Sequence, residues 1–424
     1  MPIWVATYLL FLLCDQIVSK RFTVSVDQKT NVPFLVNLEH KKARPILDNV
    51  TLDEFRTRFG IENMDLSSEN YTFGPPVESL VARSYDADET MRINVIKLMA
   101  IQDNDNLLRE MKKVSDCINP TITFVQNKCL YFCPARAALS SMYFMDSTCT
   151  SLVTKIEVDT TLQFDEDERL LVQNGSIWVV HTNLKLGVPN IALAQLEVTS
   201  NMTARFSNAT LLSQKQGDGS FKGGLGSFQK NWVPFIYDDS INFVESHSPM
   251  HVVKMEHPVD FGDFENYKST LVTTVSTTHE DKLQWNFGGI RGGTPAHLIN
   301  SKEYLTFFHS MSHLPGNPKS TYVMGALTFS SSPPFRVVRI SQVPLVNKQL
   351  YEGPWSRNRF KDYIVFPMGY VFMHNSTEVH TDIAALKDHH NVDVLLSFGY
   401  QDYQGWTVKI DLDELIKSMV TVVE

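Results

Sequence analysis

The chain has no run of lysines or arginines, one long apolar stretch at its start, and five cysteines in 424 residues. Each shortage removes a class of function. Without a basic cluster, and with a net charge of -9, nucleic-acid binding has no electrostatic footprint. Beyond the N-terminus no segment is apolar for long enough to span a bilayer. The cysteines are not spaced as CxxC and no histidine lies among them, so the zinc reading lacks its donor pattern and no metal is expected. There is no G-x-S-x-G nucleophile elbow. GDGSFKGGLGSF (217–228) has GxGxxG-like glycines but no strand-then-helix context, and reads as a loop over the site, a substrate lid. HSPMH (247–251) and DHH (388–390) lack a third ligand at useful spacing and read as solvated loops.

What is present points to a large, folded, exported protein. A hydrophobic content of 43% in this length supports a sizeable core. Residues 1–19 read as a secretory signal, with an apolar stretch from Ile3 to Cys14 and cleavage near Ser19; an uncleaved anchor is the competing reading. Asn-x-Ser/Thr sequons occur at Asn49, Asn70, Asn174, Asn201, Asn208 and Asn375. Apart from Cys14, the cysteines are Cys117, Cys129, Cys133 and Cys149, an even number in one short window. In an oxidising compartment that predicts two local disulfides, with three connectivities open. The expected location is the secretory pathway, either secreted or lumenal.

From about residue 119 onward five stretches share one plan: a polar or proline-containing lead, a short apolar strand, a polar turn and an aromatic-rich strand. They are NPTITFVQNKCLYFCPAR (119–136), DERLLVQNGSIWVVHT (167–182), KNWVPFIYDDSINFVES (230–246), GGTPAHLINSKEYLTFFHS (292–310), and IVFPMGYVF with VDVLLSFGYQD (364–402). Further strand candidates lie between and after them: NIALAQLEV, HVVKMEHPV, TYVMGALTF and GWTVKIDL. Each hairpin alternates apolar and polar residues and cannot bury its faces alone. Their 50–70-residue spacing has the scale of a propeller blade, so the expected fold is an all-β, five-bladed β-propeller over residues 116–424. The polar leads would then converge on a central funnel. Residues 20–115 read as an N-terminal α/β extension packed on the propeller: a helix in TLDEFRTRFG, a strand in MRINVIKLMAI and a second helix in DNLLREMKKVSDC. DELIKSM reads as a short terminal helix.

The leads also carry a resemblance. Asn119-Pro120, Glu166-Asp167-Glu168-Arg169, Gly293-Thr294-Pro295-Ala296 with Phe308-His309-Ser310, Tyr322-Val323-Met324-Gly325-Ala326, Phe366-Pro367-Met368-Gly369 and Phe398-Gly399-Tyr400-Gln401-Asp402 follow one another in order. In that order they resemble the motifs of the five-bladed propeller family of β-mannoside phosphorylases, β-mannosidases and related β-mannosyltransferases. The match covers roughly residues 115–415.

The resemblance implies glycosyl transfer by single displacement, with Asp167 as the general acid that protonates the departing glycosidic oxygen. Crowding by Asp165, Glu166 and Glu168 is expected to raise a carboxyl pKa there. Glu168 stands where the family has proline, and the plain alternative is an acidic turn paired with Arg169. Candidates for holding phosphate or an activated donor are Arg136, Arg169, Lys230, Arg291, His309 and Tyr322; each has an ordinary structural alternative as a strand-end charge or core residue. Asn119, Asn231, Trp232 and Asp402 are the candidates for sugar contacts, with Trp232 equally readable as core. No cofactor is called for, although inorganic phosphate or a sugar phosphate would enter as co-substrate. The expected partner is an oligosaccharide or glycan, with no membrane contact beyond an N-terminal anchor. Hydrolase, phosphorylase and transferase remain open, as does a non-catalytic glycan-binding propeller.

Overall fold

A computed structural model describes four short strands before residue 107 and, with brief interruptions, most of residues 107–422. The chain divides into two compact units. In the first, strands Phe22–Val26, Pro33–Asn37 and Lys42–Pro45 pair antiparallel in sequence, and Thr72–Phe73 joins the last in parallel. The expected signal, the helix in 51–60, the strand in 91–101, and Asn49 and Asn70 lie outside the described residues.

The second unit is nearly all β among the described residues and is built from successive antiparallel meanders, each a local sheet; Thr203–Lys215 also pairs in parallel with Leu152–Val158 and Lys268–Thr277, which joins the first three into one 13-stranded sheet. The first sheet runs Thr121–Val125, Lys128–Cys133, Ser141–Met145, Leu152–Val158. The second runs Glu166–Gln173, Ser176–Asn183, Asn190–Val198, Thr203–Lys215. The third runs Val233–Tyr237, Ser240–His247, Met250–Met255, Lys268–Thr277. In the fourth, Gly289–Gly292 and His297–Asn300 both pair with Glu303–His313, followed by Ser320–Ser330 and Val337–Ser341. In the fifth, Lys361–His374 pairs with Val392–Tyr400, which pairs with Gln404–Asp411.

Each expected hairpin is therefore present, and so are the strands at NIALAQLEV, HVVKMEHPV, TYVMGALTF and GWTVKIDL. The terminal helix is Leu412–Ser418, capped by the Asp411 carboxylate, which accepts from the Glu414 amide at 2.9 Å. Two expectations are corrected. DNLLREMKKVSDC is no helix: Leu108–Ser115 is a strand pairing antiparallel with Gln404–Asp411 as the outer edge of the fifth sheet. A sheet edge with free ladder groups outweighs local helix propensity there. HSPMH is no solvated loop either, because His247 and Met250 close the hairpin of the third sheet and His247 is buried, its pKa held down to about 4 by desolvation.

The faces of neighbouring sheets bury one another in wedges. Val125, Leu130 and Phe132 of the first sheet pack with Leu170, Val179 and Ala194 of the second. Leu171, Val180 and Leu193 meet Trp232, Phe243 and Val253 of the third. Val233, Phe235 and Val252 meet Tyr304, Phe329 and Phe335 around the fourth. Ile122, Cys129 and Tyr131 return to Val371, Met373 and Leu395 of the fifth. Each such side chain, once buried, contributes about 1.5–3 kcal/mol, so no sheet is stable without its neighbours. Two disulfides, Cys117–Cys133 and Cys129–Cys149, with Cα separations of 5.7 and 5.5 Å, settle the open connectivity. No helix among the described residues is long and apolar enough to cross a membrane.

Candidate functional site

The leads of the sheets meet at one end of the second unit, and four Asx residues there share a conformation. Asn119, Asp167, Asn231 and Asp402 have φ of +51°, +59°, +62° and +50°. Asparagine and aspartate tolerate this left-handed region better than other residues with a Cβ, which accounts for an Asx residue recurring at the leads. At Asp167 this conformation coincides with a bulge, since the register between Glu166–Gln173 and its partner shifts between Glu166 and Arg169.

Asp167 is almost fully buried, and both of its carboxylate oxygens face donors. The Asn119 Nδ2 amide donates to Oδ1 at 3.1 Å, and the Lys230 ammonium lies 3.8 Å from Oδ2. Lys230 also forms an ion pair with Glu166. Three sheets thus supply the immediate surroundings of Asp167. Among the described residues no group of His, Cys, Asp and Glu side chains is arranged to hold a metal ion.

Arg169 is buried to 1% exposure, and its guanidinium spans the convergence. Nε donates to the Gly293 carbonyl, Nη1 to the Asp167 carbonyl at 2.8 Å, and Nη2 to Asn231 Oδ1 at 3.1 Å and the Gly292 carbonyl at 3.3 Å. Desolvation lowers its pKa to about 10, which leaves it a cation at neutral pH. The structure gives it the role of a clamp between the second, third and fourth sheets, with four hydrogen bonds to uncharged protein acceptors. The expected pairing of an acidic turn with Arg169 takes this form: the Asp167 carbonyl, not its carboxylate, receives the guanidinium.

Glu168 is fully buried, and burial, with the neighbouring Asp167 charge, raises its pKa to about 8. The raised carboxyl in this cluster is Glu168, one of the residues expected to do the crowding, and desolvation is the larger cause. Its Oε2 has no hydrogen-bond partner among the described residues.

On the fourth sheet, His309 is buried and its Nδ1 donates to the Gly292 carbonyl at 3.1 Å. Its ring stacks on Tyr322 at 5.3 Å and contacts Phe366 at 4.2 Å. Arg291 is exposed directly across the ladder from His309. Asp402 is half-buried in the turn after Val392–Tyr400, at the lead end of the fifth sheet, where Gln401 exchanges bonds with the Ile364 backbone at 2.7 and 2.9 Å. Trp232 is 1% exposed and packs on Phe243 in the core, so it has no open face for a pyranose ring. Arg136, Asp165 and all of the 217–228 loop but Phe221–Lys222, a short strand edge, lie outside the described residues. The Glu166 pairing of Lys230 is the plain alternative its sequence position allowed, whereas the backbone bonds of Gln401 had no signal beyond its place beside Asp402.

The glycines of the motifs are close approaches of backbone. A Cβ at Gly399 would lie 2.0 Å from Asn119 Oδ1, and one at Gly293 would lie 2.4 Å from the Phe307 carbonyl and 2.9 Å from Pro367. The motifs therefore mark where one sheet is pressed against the next.

No family model matches the chain, and no curated protein matches it. Among solved structures, a mannose phosphorylase from Leishmania mexicana in complex with phosphate is 10% identical, with a TM-score of 0.44 over 78% of this chain and 96% of that one. A GDP-Man-dependent mannosyltransferase from Leishmania mexicana is 10% identical, with a TM-score of 0.42 over 75% and 94%. A β-1,2-mannobiose phosphorylase from Listeria innocua is 11% identical, with a TM-score of 0.39 over 73% and 93%. Overlaps of this size leave the function to be argued from the residues.

Proposed function

We propose that the second unit is a five-bladed β-propeller enzyme acting on β-mannosides or similar glycosides by single displacement, with Asp167 as general acid. The observation that carries the reading is the placement of Asp167: a carboxyl on a left-handed bulge at the convergence of the leads, held by Asn119 and facing Lys230. The order of the six motifs supports it, since each falls at an inter-sheet contact or a lead. In the reaction Asp167 gives its proton to the glycosidic oxygen as the bond to the anomeric carbon breaks, and the nucleophile arrives from the opposite face of the sugar. Asn119 fixes the carboxyl plane, and Arg169 holds the bulge by its carbonyl. Lys230 and Arg291 are the cations at this end that would meet an anionic co-substrate, inorganic phosphate or a sugar phosphate, with His309 and Tyr322 behind them. Asn231 and Asp402 complete the polar lining proposed for sugar hydroxyls, and no cofactor takes part. The two disulfides are compatible with a lumenal or secreted setting.

A second reading, a glycan-binding propeller without catalysis, is favoured by one observation: Glu168, in the place of the family's proline, is buried against the candidate acid. One assay separates the two. Purified protein and Asp167→Asn are given β-linked manno-oligosaccharides with and without phosphate, and mannose 1-phosphate or GDP-mannose with mannose acceptors. Turnover lost in the variant supports the enzyme, and the productive condition identifies its subtype. Glycan binding by both proteins without turnover in any condition supports the lectin-like reading.

A further inference from the structure

The antiparallel meanders give the second unit two ends. Inner strands such as Glu166–Gln173 run from the leads toward the first hairpin turn, the chain returns, and it leaves again toward the next turn. Turns at 174–175 and 199–202 therefore lie at the same end of the second sheet, separated from the Asp167 lead by the eight residues of Glu166–Gln173, roughly 25 Å at about 3.3 Å per residue. In the fifth sheet Val365 pairs with Tyr400 near the lead and His374 pairs with Val392 at the far end, so the 375–377 turn lies away from Asp402. Contacts along the inner strands keep this sense from sheet to sheet. Asn119 meets Asp167 and Asn231 meets Arg169 at the lead end, whereas Gln173 donates to the Asp239 carbonyl at 2.5 Å and Thr381 to that of Phe124 at 3.1 Å further along.

Three sequons occupy that far end. Asn174-Gly175-Ser176, Asn201-Met202-Thr203 and Asn375-Ser376-Thr377 each place an exposed asparagine in a tight turn, with left-handed φ at Asn174, Gly175, Met202, Asn375 and Ser376. Exposed turns are where an asparagine can reach a modifying enzyme without breaking a ladder. Asn208 differs, since it lies within the strand Thr203–Lys215 and not in a connecting turn.

We infer that Asn174, Asn201 and Asn375 carry N-linked glycans that clothe the turn end of the second unit and leave the lead end, with Asp167, bare. The step joins the asparagine Nδ2 to the anomeric carbon of an oligosaccharide carried on a lipid diphosphate. The carbon–oxygen bond to the diphosphate breaks, the amide loses one proton and the lipid diphosphate leaves. A coat confined to this end would keep glycan-sized substrates free to approach the leads and would close the turns to self-association. The inference rests on passage through the secretory pathway, not on the proposed activity.

The test expresses the full chain in a eukaryotic secretory host and maps occupancy by enzymatic deglycosylation in ¹⁸O water and mass spectrometry. Sugar on Asn174, Asn201 and Asn375 is expected. Ser176→Ala, Thr203→Ala and Thr377→Ala, which keep the turn asparagines, should each remove one glycan. Occupancy confined to Asn49, Asn70 or Asn208 would overturn the one-ended coat while sparing the secretory reading. Absence of sugar at every sequon in folded protein would overturn both.

Discussion

The Asn119 carboxamide and the Asp167 carboxylate meet at 3.1 Å across the boundary between the first and second sheets. Neither residue has a role by itself, because Asn119 has no catalytic chemistry and Asp167 without a fixed plane is one more buried acid. Their pairing fixes the carboxyl proposed as general acid where the leads converge.

Asp167→Asn is expected to lower kcat by about a thousandfold, the scale of a positioned general acid, with the melting temperature little changed. A variant that turned over glycoside at the wild-type rate would remove Asp167 from the mechanism.

Asn119→Ala should lower kcat by about tenfold, the loss of one hydrogen bond to a charged group. Gly399→Ala should act on the same contact from some 280 residues away, since its Cβ would stand 2.0 Å from Asn119 Oδ1. The two variants combined should lose less than the product of their separate effects, which a double-mutant kinetic cycle measures.

Arg169→Lys should destabilise the fold by about 3 kcal/mol or more, because a single ammonium cannot satisfy the Gly292, Gly293 and Asp167 carbonyls together with Asn231. Urea unfolding checks this. A loss of phosphate or donor affinity at unchanged stability would instead make Arg169 a ligand-binding residue.

Cys117 follows the strand that edges the fifth sheet, and Cys133 ends the second strand of the first, so their disulfide joins the last sheet to the first. Cys117→Ser with Cys133→Ser should cost about 2–4 kcal/mol in denaturant unfolding under oxidising conditions.

Glu168 makes stability pH-dependent with a defined sign. Its folded pKa of about 8 stands above the ordinary 4.5, so the folded chain holds a proton that the unfolded chain has released. Its contribution is complete below about pH 4.5 and falls away as pH rises to about 8. Denaturation curves across that window should decline for the wild type, and Glu168→Gln should remove that part of the decline.

Strands and their order were legible because period-two alternation and polar turns are local properties of the chain, and the hairpins at 121–133, 166–183 and 233–247 follow directly from them. The Asx residues at the leads stood out through the motif resemblance and their place in the repeat, and the four cysteines of the two bridges through their even number in one window. Other features depended on partners distant in sequence. Leu108–Ser115 became a strand because Gln404–Asp411 offered it an edge, and Trp232 became core because Phe243 and the second sheet cover it. Arg169 became a clamp because Gly292 and Gly293, more than 120 residues later, turn their carbonyls toward it. Periodicity, turn chemistry and left-handed Asx positions are written residue by residue, whereas burial, hydrogen-bond partners and the raised carboxyl of Glu168 exist only once the sheets close on one another.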